Sequence, residues 1–157
     1  MSRLANSRYC FVCGIENANG LKLILESDAP GRVSGKIVIP SRFDGWPGIV
    51  HGGVLSAILD ESAGRSIEAA PFPNETFLTG TLNVRFRRPA YSETALFVEA
   101  ELVRRKGRVA VATSKIMDED GQVLAEAEGT FVKIKEENAM NHTGKSDEWI
   151  MVPGEEN

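Results

Sequence analysis

A histidine, two glycines and an aspartate occur at a spacing suited to chemistry at a carbonyl group. His51-Gly52-Gly53 leads directly into an apolar run, and Asp60 follows nine residues after the histidine. If a helix begins at the glycines, its first N–H groups lack acceptors and lie at the positive end of the helix dipole. Such amides stabilise a developing oxyanion. A carboxylate within an apolar helix is costly unless it has a task or a partner.

Asp60 is the candidate nucleophile, either attacking a carbonyl directly or deprotonating water. Gly52 and Asp60 lie about 12 Å apart along a helix that rises 1.5 Å per residue, so one helix cannot present both to a single carbonyl. Two helices packed antiparallel across a two-fold axis would bring each helix start to the other protomer's aspartate. The alternative is a structural Asp60, paired with a buried arginine such as Arg65 or Arg85.

Three further interpretations concern the neighbours of Asp60. Glu61 lies about 100° around the helix from Asp60, so we expect it to be a surface or interface residue. His51 is expected to hydrogen-bond the loop or a neighbouring strand and to fix the Gly-Gly turn, with direct catalysis as the alternative. The two glycines themselves could form only a tight entry into the helix.

The elements that position these residues follow from hydrophobic periodicity. Helical spacing predicts one helix over about residues 52–69, which Pro71 and Pro73 would end. Strand patterns are predicted for Leu21–Glu26 and Arg32–Ile39, joined by a turn at Asp28–Gly31, and then for Phe77–Arg87, Ala95–Arg105, Arg108–Asp118 and Val123–Lys135. One helix among antiparallel strands indicates an α+β domain.

The His-Gly-Gly and Asp60 spacing, the run Thr79–Pro89 and the segment Gly129–Val132 together resemble the hotdog-fold acyl-CoA thioesterase superfamily. The resemblance covers roughly residues 10–135 and is to the branch of 4-hydroxybenzoyl-CoA and phenylacetate-pathway thioesterases. It implies a hotdog fold, in which a curved antiparallel sheet of about five or six strands wraps around one long central helix. Residues 1–135 would form this domain, and residues 136–157 would form a polar C-terminal tail.

The same resemblance implies an acyl-CoA thioesterase that hydrolyses the thioester to a free acid and CoA. Backbone amides of Gly52 and Gly53 would polarise the carbonyl, and sites would be shared within a homodimer or a dimer-of-dimers tetramer. No cofactor is expected, because CoA is part of the substrate. The Thr79 hydroxyl would position the attacking water, with Thr81 on the same strand face as the spare candidate. Relatives often carry an asparagine before His-Gly-Gly, but residues 44–47 contain none.

Two groups of residues are candidates for holding the substrate. The acyl pocket would be lined by Phe43, Trp46, Leu55, Leu59 and Phe77. The phosphates of CoA would be held at a basic hairpin tip comprising Arg104, Arg105, Lys106, Gly107 and Arg108, or at a second cluster comprising Arg85, Arg87 and Arg88. The alternative for each basic cluster is an ordinary solvated face.

Composition bounds the possible partners and location. The 157 residues suit one domain, and the net charge of −4 argues against nucleic acid as the main partner. No apolar run approaches the length of a membrane span, and the N-terminus has no apolar signal core, so a cytoplasmic location is expected. Cys10 and Cys13 are expected to form a structural turn with free thiols and no metal. Half of a metal site completed by another subunit, or a redox pair, are the alternatives.

Two other functions remain open. A hotdog hydratase or dehydratase would also act on thioesters, but its working histidine stands further before the helix acid, where this chain has Trp46 and Pro47. A non-catalytic acyl-CoA-binding hotdog protein would serve as a sensor or scaffold. The carboxylate at position 60 argues against pure binding, because a binder gains nothing from a desolvated charge.

Overall fold

One long helix packs against a large antiparallel sheet. The computed structural model describes residues 2–72 and 75–135 and the backbone of Trp149–Ile150. In chain order the elements are β1 (Ser2–Arg3), β2 (Asn6–Ser7), β3 (Glu26–Ala29), β4 (Arg32–Val38), a short 3-10 helix (Ser41–Phe43), β5 (Asp44–Trp46), β6 (Ile49–Val50), α1 (Gly52–Glu68), β7 (Thr76–Phe86), β8 (Ala95–Lys106), β9 (Val109–Met117), β10 (Val123–Ile134) and β11 (Trp149–Ile150).

The main sheet has seven strands in the order β1-β3-β4-β8-β9-β10-β7. All pairings in it are antiparallel, and β7 lies at one edge. This confirms the α+β hotdog class predicted from the sequence. The strand count exceeds the expected five or six because the two-residue strand β1 joins the edge beyond β3.

Alternation along the strands builds the core between sheet and helix. In β8, Leu96 and Val98 are fully buried, and in α1 so are Ile58 and Leu59. Burial of each such side chain contributes about 1.5–3 kcal/mol to folding. A second cluster near the end of α1 brings Phe131 of β10 against the helix. The helix is therefore held along its whole length, and each polar side chain on it has a defined direction.

The predicted strand Leu21–Glu26 is wrong in its bounds. Leu21, Leu23 and Leu25 alternate and are buried, as in a strand, but they precede β3. Their neighbours are in the N-terminal loop: Leu21 N–H donates to the Phe11 carbonyl at 2.8 Å, and Leu23 N–H donates to the Val12 carbonyl at 2.8 Å. Periodicity identified the buried face correctly but could not identify the backbone partner.

The turn before β4 is also shorter than predicted. Asp28 belongs to β3, and the chain reverses at Pro30 and Gly31, where the glycine has φ +76°. The helix and the four later strands agree with the predicted bounds within one or two residues. The short strands β1, β2, β5, β6 and β11 were not predicted, because two- or three-residue strands carry no periodic pattern.

Most of the predicted C-terminal tail lies outside the described residues. Within it, the backbone of β11 pairs antiparallel with β2, aligning Trp149 with Ser7 and Ile150 with Asn6. In the part of the chain that is described, no helix combines the length and apolar character needed to cross a membrane.

Candidate active site

The first turn of α1 is capped by His51. Its backbone is extended (φ −58°, ψ 134°), and its Nδ1 accepts the N–H of Gly53 at 2.8 Å. The carbonyl of His51 accepts the N–H groups of Val54 at 2.9 Å and Leu55 at 3.2 Å. His51 thus takes the position of an N-cap residue. This arrangement matches the turn-fixing interpretation, and an Nδ1 that accepts a hydrogen bond places the ring proton on Nε2.

The expectation of two bare amides needs correction. The Gly53 N–H is already donated to the imidazole, so it does not point freely toward a ligand. Among the described residues, the Gly52 N–H is the only one of the first four helix amides without an acceptor. The helix dipole still favours negative charge at this position. The structure therefore leaves one donor at the helix start, from Gly52.

The loop before the helix holds His51 in place. The His51 N–H donates to the Phe43 carbonyl at 3.0 Å, and Asp44 Oδ2 accepts the Gly48 N–H at 2.9 Å. A Cβ on Gly45 would lie 3.0 Å from the His51 ring, so the loop backbone passes directly against the imidazole. Residues 44–48 therefore position the N-cap residue His51. Gly48 in this loop has a left-handed backbone conformation, with φ +77°.

Asp60 and Thr79 meet in one protomer. The Thr79 hydroxyl donates to Asp60 Oδ1 at 2.8 Å, joining the middle of α1 to the edge strand β7. Among the described residues this is the only hydrogen-bond partner of the Asp60 carboxylate, and no arginine pairs with it. Asp60 is half-buried and Thr79 is exposed. The carboxylate is thus oriented but remains open to the outside of the protomer.

A β-bulge at Gly80 explains why Thr79 faces Asp60. Thr81 aligns with Thr130 of β10, but Thr79 aligns with Phe131, so Gly80 has no partner of its own. Phe131 is buried against α1, and Thr79, its direct neighbour across the ladder, shares that face. An extra residue in a strand reverses the alternation beyond it. A glycine inside a strand pattern was the available sequence signal for this bulge, and it was missed.

The bulge corrects the prediction for Thr81. Its cross-strand partner Thr130 precedes Phe131 by one residue, so it lies on the opposite face of the sheet from Phe131. Thr79 and Thr81 therefore point to different faces, although they are two residues apart. Thr81 is not a spare for the hydroxyl beside Asp60.

The surroundings of this pair are unusually open for a reacting centre. Among the described strands β7 has no neighbour on its outer side, and the side chains of Leu78 and Phe86 on it are 55% and 56% exposed. Phe86 approaches the helix start, since a Cβ on Gly52 would lie 3.4 Å from its ring. An unpaired strand with exposed apolar side chains is a surface for pairing with another chain.

Of the five residues predicted to line an acyl pocket, three pack in the main core of one protomer: Phe43, Leu55 and Leu59. Leu55 and Leu59 are part of the main core, at 4% and 0% exposure. Phe43 packs edge-on against Phe11 at 6.1 Å between ring centroids. Phe77 contacts the second cluster, and the Trp46 side chain is exposed. The acyl pocket stays a prediction, because helical periodicity marks core and pocket residues alike.

A large cavity lies elsewhere, on the face of the sheet that is turned away from α1. Its volume is about 620 Å³, and its lining is strongly charged, including Arg85, Glu99, Glu101, Glu126 and Glu128. It includes neither Asp60 nor Thr79. An acidic, solvated groove of this kind does not suit an acyl chain, so we do not assign it to the reaction.

Some side chains of the basic hairpin tip already bind other groups of the protein, and others do not. Arg105 forms a salt bridge with Glu75 at 2.5 Å and lies over the Phe72 ring at 4.2 Å. Hydrogen bonds from Arg105 and Lys133 lower the pKa of the Glu75 carboxyl below its usual range. Arg108 donates to the Lys133 carbonyl at 3.0 Å. The predicted role of Arg105 as a phosphate ligand therefore competes with an existing ion pair.

Other cations near the hairpin tip and in the second cluster differ in their contacts. Arg104 and Lys106 are exposed beside Gly107, which turns the hairpin at φ +59°, and neither has an ion-pair partner among the described residues. Arg88 is likewise exposed without such a partner there. Arg87, in contrast, forms a salt bridge with Glu126.

Glu61, predicted to be a surface or interface residue, has contacts within its own protomer. It is half-buried, and its Oε2 lies 3.6 Å from the Sγ of Cys10. A hydrogen bond with Cys13, the largest effect, lowers the pKa of the Cys10 thiol to about 7. The same thiol contact and burial raise the pKa of Cys13. No local sequence pattern could predict the contact between Cys10 and Glu61, because they are 51 residues apart in the chain.

Comparison with known proteins shows which proteins this chain resembles. Residues 47–125 match the model of the thioesterase superfamily. The acyl-coenzyme A thioesterase THEM4 of Bos taurus is 27% identical over 96 residues, which are 60% of this chain and 38% of that protein. The chain spans about two fifths of the length of the curated relatives it matches.

Two solved structures share the fold and part of the sequence. A thioesterase superfamily protein is 31% identical, with a TM-score of 0.72 over 80% of this chain and 63% of that one. A phenylacetic acid degradation-related protein from Ralstonia eutropha JMP134 is 27% identical, with a TM-score of 0.64 over 71% of this chain and 85% of that one. The matched family segment includes the helix start, Asp60 and Thr79.

Proposed function

Because the chain belongs to the thioesterase superfamily, we propose that it is an acyl-CoA thioesterase whose active sites are shared between two protomers. The observation that carries this proposal is the 2.8 Å hydrogen bond from Thr79 to Asp60. It orients a half-buried carboxylate in the part of the chain that matches the family. The name of the THEM4 relatives supports acyl-CoA as the substrate class. No cofactor is needed, because CoA arrives as part of the substrate.

In the proposed reaction, Asp60 accepts a proton from water, and the resulting hydroxide attacks the thioester carbon. The Thr79 hydroxyl donates a hydrogen bond to Asp60. The lone pairs of the Thr79 oxygen are therefore free to accept a hydrogen bond from that water. The carbonyl oxygen becomes an oxyanion stabilised by the Gly52 N–H of the other protomer. The carbon–sulfur bond then breaks, and the proton held by Asp60 passes to the CoA thiolate. Direct attack by Asp60, through an anhydride that water hydrolyses, uses the same geometry.

Dimerisation is proposed because one protomer is incomplete. Gly52 and Asp60 lie in a single continuous helix, about 12 Å apart, and cannot act on the same carbonyl. The open edge of β7 and its exposed Leu78 and Phe86 offer the surface that a second copy would cover. Antiparallel packing of the two α1 helices would then form two equivalent sites. Covering this edge would also shield Asp60 from bulk water, which strengthens electrostatic catalysis.

The phosphates of CoA are assigned to the unpaired cations. Arg104 and Lys106 at the hairpin tip, together with Arg88, are exposed and have no ion-pair partner among the described residues. Arginine and lysine side chains in this state attract phosphate without first breaking an internal salt bridge. Arg105 is left in its pair with Glu75.

The test is release of free thiol from a panel of short, long and aromatic acyl-CoAs. We expect turnover of at least one class, and slower turnover of the same acyl group on N-acetylcysteamine, which lacks the phosphates. Tight binding of every acyl-CoA without turnover of any would contradict the proposal and would favour a non-catalytic binder.

Replacing Thr79 with valine should lower kcat about tenfold. Valine keeps the β-branched shape but deletes a hydrogen bond to a charged group, which contributes about 1.5–3 kcal/mol. Thr79→Ser, which retains the hydroxyl, is the matched control and should keep most of the activity. The measurement is thiol release together with a thermal melt. Equal rates for the valine and serine variants would remove Thr79 from the mechanism.

A further inference from the structure

Two cysteines and a glutamate lie together beside α1, away from the Asp60–Thr79 pair. One sulfur or oxygen from each of Cys10, Cys13 and Glu61 lies within 4.8 Å of the others. Cys13 is buried, and the other two residues are half-buried. The proposed hydrolysis uses none of these groups. We propose that Cys10, Cys13 and Glu61 bind one zinc ion, which fastens the N-terminal loop to the helix that carries Asp60.

The spacing of the donor atoms fits a tetrahedral zinc site. Zinc binds thiolate sulfur at about 2.3 Å and carboxylate oxygen at about 2.0–2.2 Å, so the two ligands lie about 3.6 Å apart at a tetrahedral angle. The distance from Cys10 Sγ to Glu61 Oε2 is 3.6 Å. All three donor atoms lie within 4.8 Å of one another, so formation of the site requires side-chain movements of about 1 Å around Cys13.

The backbone around Cys10 is arranged to favour a thiolate. The N–H groups of Val12 and Cys13 both donate to Cys10 Sγ, at 3.3 Å and 3.4 Å. Two amides directed at one sulfur stabilise negative charge on it, which is the form that binds metal. A reduced pair of thiols with no ligand would gain little from such an arrangement.

The loop is fixed independently of a metal, so the donors are held in place before binding. Gly14 N–H donates to the Cys10 carbonyl at 2.9 Å, and a Cβ on Gly14 would lie 2.5 Å from backbone atoms of Cys10. Only glycine fits after the second cysteine. Asn6, itself buried, donates from Nδ2 to the Cys13 carbonyl at 2.7 Å. Preformed donors lower the entropic cost of binding.

Glu61 supplies the third ligand from a different element. Its Oε2 lies 3.6 Å from Cys10 Sγ, and its side chain also hydrogen-bonds with Cys13. A carboxylate half-buried against two sulfurs is unfavourable without a positive partner, and a divalent cation would neutralise the group. Three protein ligands leave the fourth tetrahedral position to a water molecule.

The experiment measures metal binding by the reduced 157-residue chain. We expect about one zinc per chain by elemental analysis after dialysis against trace zinc, since the described residues supply a single cluster of this kind. Substitution with Co²⁺ should give the visible d–d bands of a tetrahedral ion and a thiolate-to-cobalt charge-transfer band. Cys10→Ser should abolish the charge-transfer contribution of that sulfur. Glu61→Gln should raise the zinc dissociation constant by about a hundredfold.

Glu16→Gln is the matched control, because Glu16 lies in the same N-terminal region but pairs with Arg8 on the surface. It should bind zinc as the wild type does. Circular dichroism would show whether each variant is folded. If a cysteine variant does not fold, Glu61→Gln still tests the proposal. The proposal would be overturned by less than a tenth of an equivalent of zinc in the reduced wild type, or by binding that survives loss of Cys10 and Glu61. A Cys10–Cys13 disulfide that forms even with zinc and reductant present would equally overturn it.

Discussion

Replacing Asp60 with asparagine should lower kcat for acyl-CoA hydrolysis by about 10²- to 10⁴-fold, the range of a lost general base. The amide has the same shape and can still accept the hydrogen bond from Thr79, but it cannot take a proton from water or attack a carbonyl. KM should change little, because the variant retains the helix start and the cations. Thiol release at saturating substrate measures the effect.

Asp120→Asn, in the exposed turn between β9 and β10, is the control for loss of one negative charge. Its kcat should equal that of the wild type. If Asp60→Asn retained more than a tenth of the wild-type rate while melting at the same temperature, Asp60 would not be the reacting carboxylate. A single turnover in water labelled with heavy oxygen detects direct attack, because only an anhydride hydrolysed at its aspartyl carbon places the label in the protein.

Replacing Gly52 with proline should lower kcat by about 10²- to 10³-fold, the usual effect of losing one oxyanion donor. Proline is well accepted at the first helical position, and the extended backbone of His51 (φ −58°, ψ 134°) suits a residue before proline. The change therefore deletes the N–H with little disturbance of the helix. Gly52→Ala is the matched control: it keeps the amide and adds a methyl group at ordinary contact distance from Phe86.

The same two variants test whether the site is shared. Protomers carrying Asp60→Asn and protomers carrying Gly52→Pro, co-expressed with different tags, give heterodimers with one intact and one doubly defective site. Such heterodimers should recover about half of the wild-type rate if each site draws on both chains. Heterodimers as inactive as either parent would place both groups in one chain, and the proposed geometry would be abandoned.

Much of the fold followed from the sequence because its signals are local. The alternation of buried residues in β8 and the apolar face of α1 are patterns within one element, and both were placed correctly. Leu21, Leu23 and Leu25 show the limit of this approach. Their alternation indicates a buried extended segment, but the carbonyls that accept their N–H groups belong to a distant loop. Periodicity reports which face is buried and not which chain segment lies beside it.

The candidate site was partly predictable for the same reason. His51, Gly52 and Asp60 lie within one short segment, so their relation follows from helix geometry. The contacts of Glu61 and Arg105 were not predicted, because their partners are far away in the chain. Cys10 meets Glu61 across 51 residues, and Glu75 occupies the guanidinium of Arg105. A single sequence contains no signal for such pairs.

The unpaired residue at Gly80 makes the chemistry of this chain depend on where the irregular position in β7 lies. If a deletion removed that one residue, β7 would regain simple alternation with Thr79 still opposite Phe131, so the hydroxyl would stay on the side of α1. If Gly80 instead paired with Phe131, the ladder beyond it would slide by one residue, and Thr79 would turn to the other side of the sheet. The domain would keep its architecture in both cases, but only the first would keep a hydroxyl beside the acid.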